Sequence, residues 1–388
     1  MITKLPRYID QATGRNINPK ASGKAKPQRL HAVIKRQNTS TSIIANMLRD
    51  SYIDDYESLN TLRNIAHKKQ KKQRIDNTPF AQRLDASRNI LKQTHHTMRQ
   101  TVLKLSHHLE IDKIQLLKLV QTIIDHTEYQ NDIFLYACRE KQPKDNLLIR
   151  CISFCALMVS FAREVGYKEQ DLLDIGLGAI LHDSGKLRLS QSVLNKKGRL
   201  TAQEFRTVKK HTLFSSIIFS QLNIRQPLAI NIASQHHERI NGTGYPNGLK
   251  EENISKIGQM AAIADVYNAL TSKRNFKKAQ EPITVLNHLL SHPDMFNNDL
   301  VKHFIRVVGI YPVGSIVKLK NGIIGLVIKQ NKELLKPTIK GFYDSKTKSR
   351  ILTATIDTHD DTLPRNSGHS VQSPQPREKW KQLTDHIF

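Results

Sequence analysis

Leu181-His182-Asp183-Ser184-Gly185-Lys186 sets an imidazole beside a carboxylate and a lysine three positions after that carboxylate. One His-Asp pair means little by itself, because such pairs are common on solvated surfaces. Here His211, His236, His237 and Asp265 follow at intervals that helices could bring to one point. Between the last two lies Asn241-Gly242-Thr243-Gly244-Tyr245-Pro246. Two glycines there permit a tight loop that side chains would obstruct.

Outward from that stretch the pattern is helical. Asp171 to Leu181 reads as the helix feeding the pair, and Asp145 to Val165 as a long buried helix before it. Thr201 with Glu204 three positions on forms a capping box, opening a helix expected to carry Phe205, Val208 and His211. Leu228 to Glu238 is the next helix and ends at the double histidine. Ile257 to Leu270 holds Asp265 in mid-helix. Upstream, apolar residues recur at three- and four-residue steps from about Thr94 through Ile124. His95-His96 and His107-His108 fall in that region, but adjacent side chains on a helix diverge, so neither pair chelates a metal well.

Downstream the pattern changes. Ser315 to Lys318 and Gly325 to Lys329 are rich in β-branched residues and flank Asn321-Gly322, a hairpin signal. Thr338 to Phe342 and Ile351 to Ile356 could add strands. Trp380, Leu383 and Ile387 share one helical face in a polar tail, ready to dock on the chain itself or on a partner. The fold class expected is mainly α: a helical bundle core with a small C-terminal β appendage and a basic, flexible N-terminal region. The division expected is a basic low-order region 1–93, a helical lead-in 94–144, a core domain 145–309, the β appendage 310–357 and a tail 358–388 with a short terminal helix.

Composition narrows the partners. The chain has 388 residues and a formal net charge of +26, which favours polyanions such as nucleotides, nucleic acid or anionic lipid. Residues 1–100 carry 20 Lys/Arg against 7 Asp/Glu, half of that excess. Lys68-Lys69-Gln70-Lys71-Lys72 has no interleaved aromatic residues, so a solvated linker is a better reading than a nucleic-acid site. Cys138, Cys151 and Cys155 are the only cysteines, and Cys151 and Cys155 lie one helical turn apart in an apolar run. They read as buried small residues rather than a disulfide or metal pair. With no secretory h-region near Met1 and no run long enough to span a bilayer, a cytoplasmic protein is expected.

Histidine and carboxylate together suit divalent iron, manganese, zinc or nickel. Such metals activate water for phosphoester hydrolysis when several fixed ligands leave a position open. Asp183 could bridge two ions through its two oxygens, with His182 on one of them.

From about Asp145 to Val313 the chain resembles an HD-GYP domain, a branch of the HD superfamily of metal-dependent phosphohydrolases. The matching pieces are His182-Asp183-Ser184-Gly185-Lys186, Lys210-His211, His236-His237-Glu238-Arg239 and the loop Asn241 to Leu249. They continue with Ile263-Ala264-Asp265 through Ser272, Arg274, and Gly309 to Gly314. The resemblance implies an HD-type helical core that hydrolyses cyclic di-GMP, to pGpG or GMP, in second-messenger signalling. It implies metal ligands at His182, Asp183, His211, His236, His237 and Asp265, with Asp183 and Lys186 as the catalytic pair. Lys186, Gly244, Tyr245, Pro246, Arg274 and Lys277 would line the substrate site. Cyclic di-GMP is the implied ligand; diguanylate cyclases, other signalling proteins and a second copy of the chain are the partners it suggests. Nucleic acid binding through the N-terminus is the weaker alternative.

The sequence departs from this family where the first ligand histidine would stand. Arg150 takes that place, and Asn146 replaces the acidic residue one turn earlier. A guanidinium stays charged and cannot ligate a cation, so two metals at most are expected. Ser184, Asn241 and Asn268 are softer departures. Three readings stay open: hydrolysis with a reduced metal centre, nucleotide binding without cleavage, and a protein-interaction module.

Overall fold

Helix α3 (Leu147–Val165) is the axis of the molecule in the computed structural model, and every residue from Cys151 to Ala162 is buried. A helix apolar on all sides must be surrounded, and this one is. The structure describes residues 78–107, 109–140, 147–196, 198–272, 279–359 and 368–384. Against α3 pack α1 (Phe80–Ser106), α2 (Lys113–Arg139), α4 (Glu169–Leu181), which leads into the His-Asp pair, and α9 (Lys256–Thr271); α2 and α4 also pack on each other. Among the described residues no helix is long and apolar enough to cross a membrane.

Helix α1 begins at Phe80, earlier than the Thr94 start expected, so the low-order region does not extend to residue 93. The buried stripe is Leu84, Ser87, Leu91, Thr94, Met98 and Thr101. Half of those residues are hydroxylic, which hides the helical period from a hydropathy reading. Thr94 and Thr101 satisfy their hydroxyls on carbonyls three or four residues back, and Ser87 Oγ meets His126 Nε2 of α2 at 2.9 Å. The Ser40–Leu62 and Lys68–Lys72 stretches lie outside the described residues.

The remaining bundle runs through a short helix α5 (Gln191–Leu194), α6 (Ala202–Lys209), α7 (His211–Gln221), α8 (Pro227–Gln235), α10 (Pro282–Leu290) and α11 (Asn298–Val308). The capping box of Thr201 and Glu204 opens α6 as expected. That helix stops at Lys209, however, so His211 begins a helix of its own rather than continuing with Phe205 and Val208. The three cysteines are buried, and no disulfide joins them. Burial pushes the Cys138 and Cys151 thiols up to about 12, which makes them inert apolar fillers.

Five antiparallel strands follow: β1 (Ile316–Leu319), β2 (Ile323–Lys329), β3 (Thr338–Asp344), β4 (Ser349–Asp357) and β5 (Val371–Gln375), in the spatial order β4-β3-β2-β1-β5. The polar tail expected from 358 thus contributes an edge strand, paired with β1 from Ile316–Gln375 to Leu319–Val371. Alternation along β5 is between polar residues, so no apolar period announces it. Helix α12 (Arg377–Thr384) then lays Trp380 on Ile316, Ile324, Leu326 and Phe342. The terminal segment therefore docks on its own sheet; Ile387 lies outside the described residues. Arg139 at the end of α2 joins bundle to sheet, donating to Tyr267 Oη and to the Val313 carbonyl, each at 3.0 Å.

Candidate metal centre

The end of α4 delivers the His-Asp pair into the bundle. His182 caps the helix, and Asp183 enters a 3-10 turn, Ser184–Arg188. That turn lies directly against α7. A β-carbon on Gly185 would sit 2.0 Å from the His211 carbonyl oxygen and 2.5 Å from Ser215 N. Only glycine permits this approach, and the approach places Asp183 beside His211. Ser215 completes the joint, accepting from Gly185 N at 2.9 Å and donating to the His182 carbonyl at 2.7 Å. Sequence reasoning gave Ser215 no role, because a serine one turn into an apolar helix carries no signal of its own.

Asp183, His211, His236 and His237 each offer one ligand atom, and these four atoms lie within 4.8 Å of one another. Asp183 Oδ1 is 3.4 Å from His211 Nε2 and 3.8 Å from His236 Nε2. The two imidazole nitrogens are themselves 3.4 Å apart. Each ring directs Nδ1 at a backbone carbonyl: His211 at Val208 O (2.7 Å), His236 at Ala233 O (3.0 Å), and likewise His182 at Ala179 O (2.7 Å). A carbonyl only accepts, so Nδ1 carries the proton and Nε2 presents a lone pair. Burial lowers the His211 pKa to about 4 and pushes His236 and His237 well below the ordinary histidine value. The rings are therefore neutral.

Lone pairs from two neutral rings thus face one small volume together with Asp183 Oδ1, a buried oxygen with no hydrogen-bond partner among the described residues. Burial alone would raise the Asp183 pKa; the Lys186 ammonium and the neighbouring imidazoles outweigh it and hold the carboxyl well below its usual range. A carboxylate and converging unprotonated imidazoles with no proton between them make a set that a divalent cation fits.

The other oxygen of Asp183 has different company. Oδ2 lies 3.5 Å from His182 Nε2 and accepts from Lys186 Nζ at 2.5 Å. Phe154 of α3 packs on the His182 ring, with centroids 4.1 Å apart. Asp265, buried on α9, reaches the cluster through His237, whose Nδ1 is 3.5 Å from Asp265 Oδ2. Four of the six expected ligands are therefore gathered tightly, with His182 and Asp265 at the flanks. Arg150 sits in the first turn of α3, its carbonyl held by Asn268 Nδ2 at 2.9 Å, one turn beyond Asp265. Its buried Nε has no hydrogen-bond partner among the described residues. Asn146, Arg274 and Lys277 lie outside the described residues.

The glycine loop forms the rim. Gly244 passes so close to the preceding chain that a β-carbon would lie 2.5 Å from Glu238 Cα and Arg239 N. Tyr245 then stacks on His237 with centroids 4.6 Å apart, and its peptide bond to Pro246 is cis. Lys209 Nζ stands 5.0 Å from the Tyr245 ring centre. Fully buried Glu238 anchors the loop, accepting from Asn247 N at 2.8 Å and Leu249 N at 3.0 Å. Its acidic side chain directly after two histidines is legible in sequence, but its backbone-holding function is not.

An HD domain family model matches residues 80–298, more than half of the chain. The chain belongs to the HD domain family. Within that family it is similar to a Pseudomonas aeruginosa protein named cyclic di-GMP phosphodiesterase, 33% identical over 248 residues, covering 64% of this chain and 60% of the relative. A Thermotoga maritima protein of the same name is 42% identical over 149 residues, 38% of this chain and 40% of the relative. A Vibrio cholerae protein named 3'3'-cGAMP-specific phosphodiesterase 3 is 35% identical over 118 residues, 30% of this chain and 25% of the relative. The match spans no more than 60% of the length of any of these three relatives.

Proposed function

We propose that this HD domain is a metal-dependent phosphodiesterase that hydrolyses cyclic di-GMP in the cytoplasm, working from a reduced metal centre. The observation that carries the reading is the tight set Asp183, His211, His236 and His237, whose ligand atoms lie within 4.8 Å of one another. Those four residues would hold a divalent ion. When bound, such an ion supplies Lewis acidity at a phosphoryl oxygen and lowers the pKa of water. The names of the relatives favour a cyclic dinucleotide, and cyclic di-GMP over 3'3'-cGAMP because the longer matches carry the former name.

The chain's own residues supply the rest. Lys186, its ammonium held by Asp183 and its side chain partly open, would put a positive charge where phosphate approaches. Tyr245, stacked against His237, would cover one side of the site. Glu238 fixes that wall by gripping two loop amides. Arg274 and Lys277 would complete the phosphate contacts.

One observation favours a second reading, binding without turnover. At Arg150, on the helix where the family resemblance expects a ligand histidine, the structure has a buried guanidinium nitrogen with no partner among the described residues. A phosphate oxygen would satisfy it. The deciding experiment incubates the purified chain with cyclic di-GMP with and without added manganese, beside Arg150→His. The phosphodiesterase reading expects metal-dependent release of pGpG or GMP by the wild type. Tight binding without product in the wild type, and product only in Arg150→His, would establish the sensor reading instead.

A further inference from the structure

The C-terminal sheet carries a second concave site that the hydrolytic reading does not use. Registry places Ser373 of β5, Lys318 of β1, Ile324 of β2 and Tyr343 of β3 in one row across four strands. Residues paired across a sheet share a face, so this row is the floor of a cleft. Helix α12 closes it along one side with Trp380 and Lys379, and the β3–β4 turn brings Lys348 to the other end. The cleft measures 660 Å³, within the range of pockets that hold small organic ligands.

Its chemistry is specific. Lys318, Lys348 and Lys379 line it, and none has a carboxylate partner among the described residues; no Asp or Glu is in its lining. Tyr343 and Trp380 supply aromatic surface, with ring centroids 4.9 Å apart, and Lys379 Nζ stands 5.2 Å from the Trp380 ring centre. Trp380 is 7% exposed, and its buried Nε1–H has no acceptor among the described residues. A buried indole donor normally finds a partner. Uncompensated ammonium groups call for phosphate, and the rings for a flat heterocycle. The geometry points to a nucleotide-binding site on this sheet, separate from the metal centre.

Trp380 is the only tryptophan in the chain, so its emission reports on this cleft alone. The full chain is titrated with guanosine 5'-monophosphate and, in separate arms, with adenosine 5'-monophosphate, guanosine and inorganic phosphate. A saturable emission change with a mononucleotide, and a weaker response to phosphate or nucleoside alone, is expected. Lys318→Glu with Lys348→Glu should weaken it by about tenfold or more, since each lost charge-assisted contact is among the stronger kind. Lys348→Gln, at an exposed turn position, should weaken it less while leaving the circular dichroism spectrum intact. Asp183→Asn should leave the response unchanged. The proposal fails if mononucleotide leaves Trp380 emission unaltered or if the lysine variants respond like wild type. It fails equally if phosphate alone reproduces the change at the same concentration, or if Asp183→Asn abolishes it.

Discussion

Glu238 shows how much of the site depends on a residue that never touches the proposed metal volume. It is fully buried, and both carboxylate oxygens accept loop amides. Glu238→Ala would strand two amide donors and release Tyr245 from its place over His237. The expected outcome is unchanged metal content with turnover lowered by about 100-fold, the scale of a misplacement near 1 Å; metal analysis beside steady-state rates checks both halves. At this scale the motif residues stood out because their types and spacing are unusual: Asp183, His211, His236 and His237 gather tightly, with His182 and Asp265 at the flanks. Ser215 was not legible, since a serine on an apolar helix face is ordinary and its value lies in touching a 3-10 turn 30 residues earlier in sequence. Arg150 was legible as a departure from the family pattern, and its unpartnered Nε gives that departure a physical consequence.

Helix pairing decides whether those residues meet. The 3-10 turn after α4 and the start of α7 are in backbone contact at Gly185, so Gly185→Ala should separate Asp183 from His211. Overpacking of this kind costs about 1–3 kcal/mol, and thermal unfolding with metal analysis should show lower stability together with lost metal. Farther out, α1 and α2 meet through Ser87 and His126. Burial lowers the His126 pKa to about 4, below the ordinary value of 6.5. On acidification the unfolded chain takes up that proton first, so this pairing loses stability as the pH falls from about 6.5 toward 4. Denaturant unfolding at a series of pH values should show that slope, and His126→Gln should flatten it. The extent of α1 was hidden in sequence because Ser87, Thr94 and Thr101 occupy core positions. The break between α6 and α7 was hidden because Lys210 has helical dihedrals even where the helix changes direction.

Across the molecule, the apolar stretch in α3 and the β-branched runs after residue 310 were enough to read a helical bundle followed by a small sheet. The edge strand β5 was not readable, since its order comes from pairing with β1 rather than from its own polar sequence. Trp380 holds the far side of the sheet, and Trp380→Ala should destabilise the protein by about 3–5 kcal/mol, as large-to-small changes at buried aromatics do. Denaturant titration followed by circular dichroism would measure it. The helical bundle serves one arrangement: a buried carboxylate with imidazole lone pairs around it. Metal analysis of the purified full chain beside Asp183→Asn tests that arrangement most directly. One to about two divalent transition metal ions per wild-type chain, lost in the variant while its circular dichroism spectrum is kept, is the predicted result. A wild-type chain that takes up no metal, or an Asp183→Asn chain that holds as much, would contradict it.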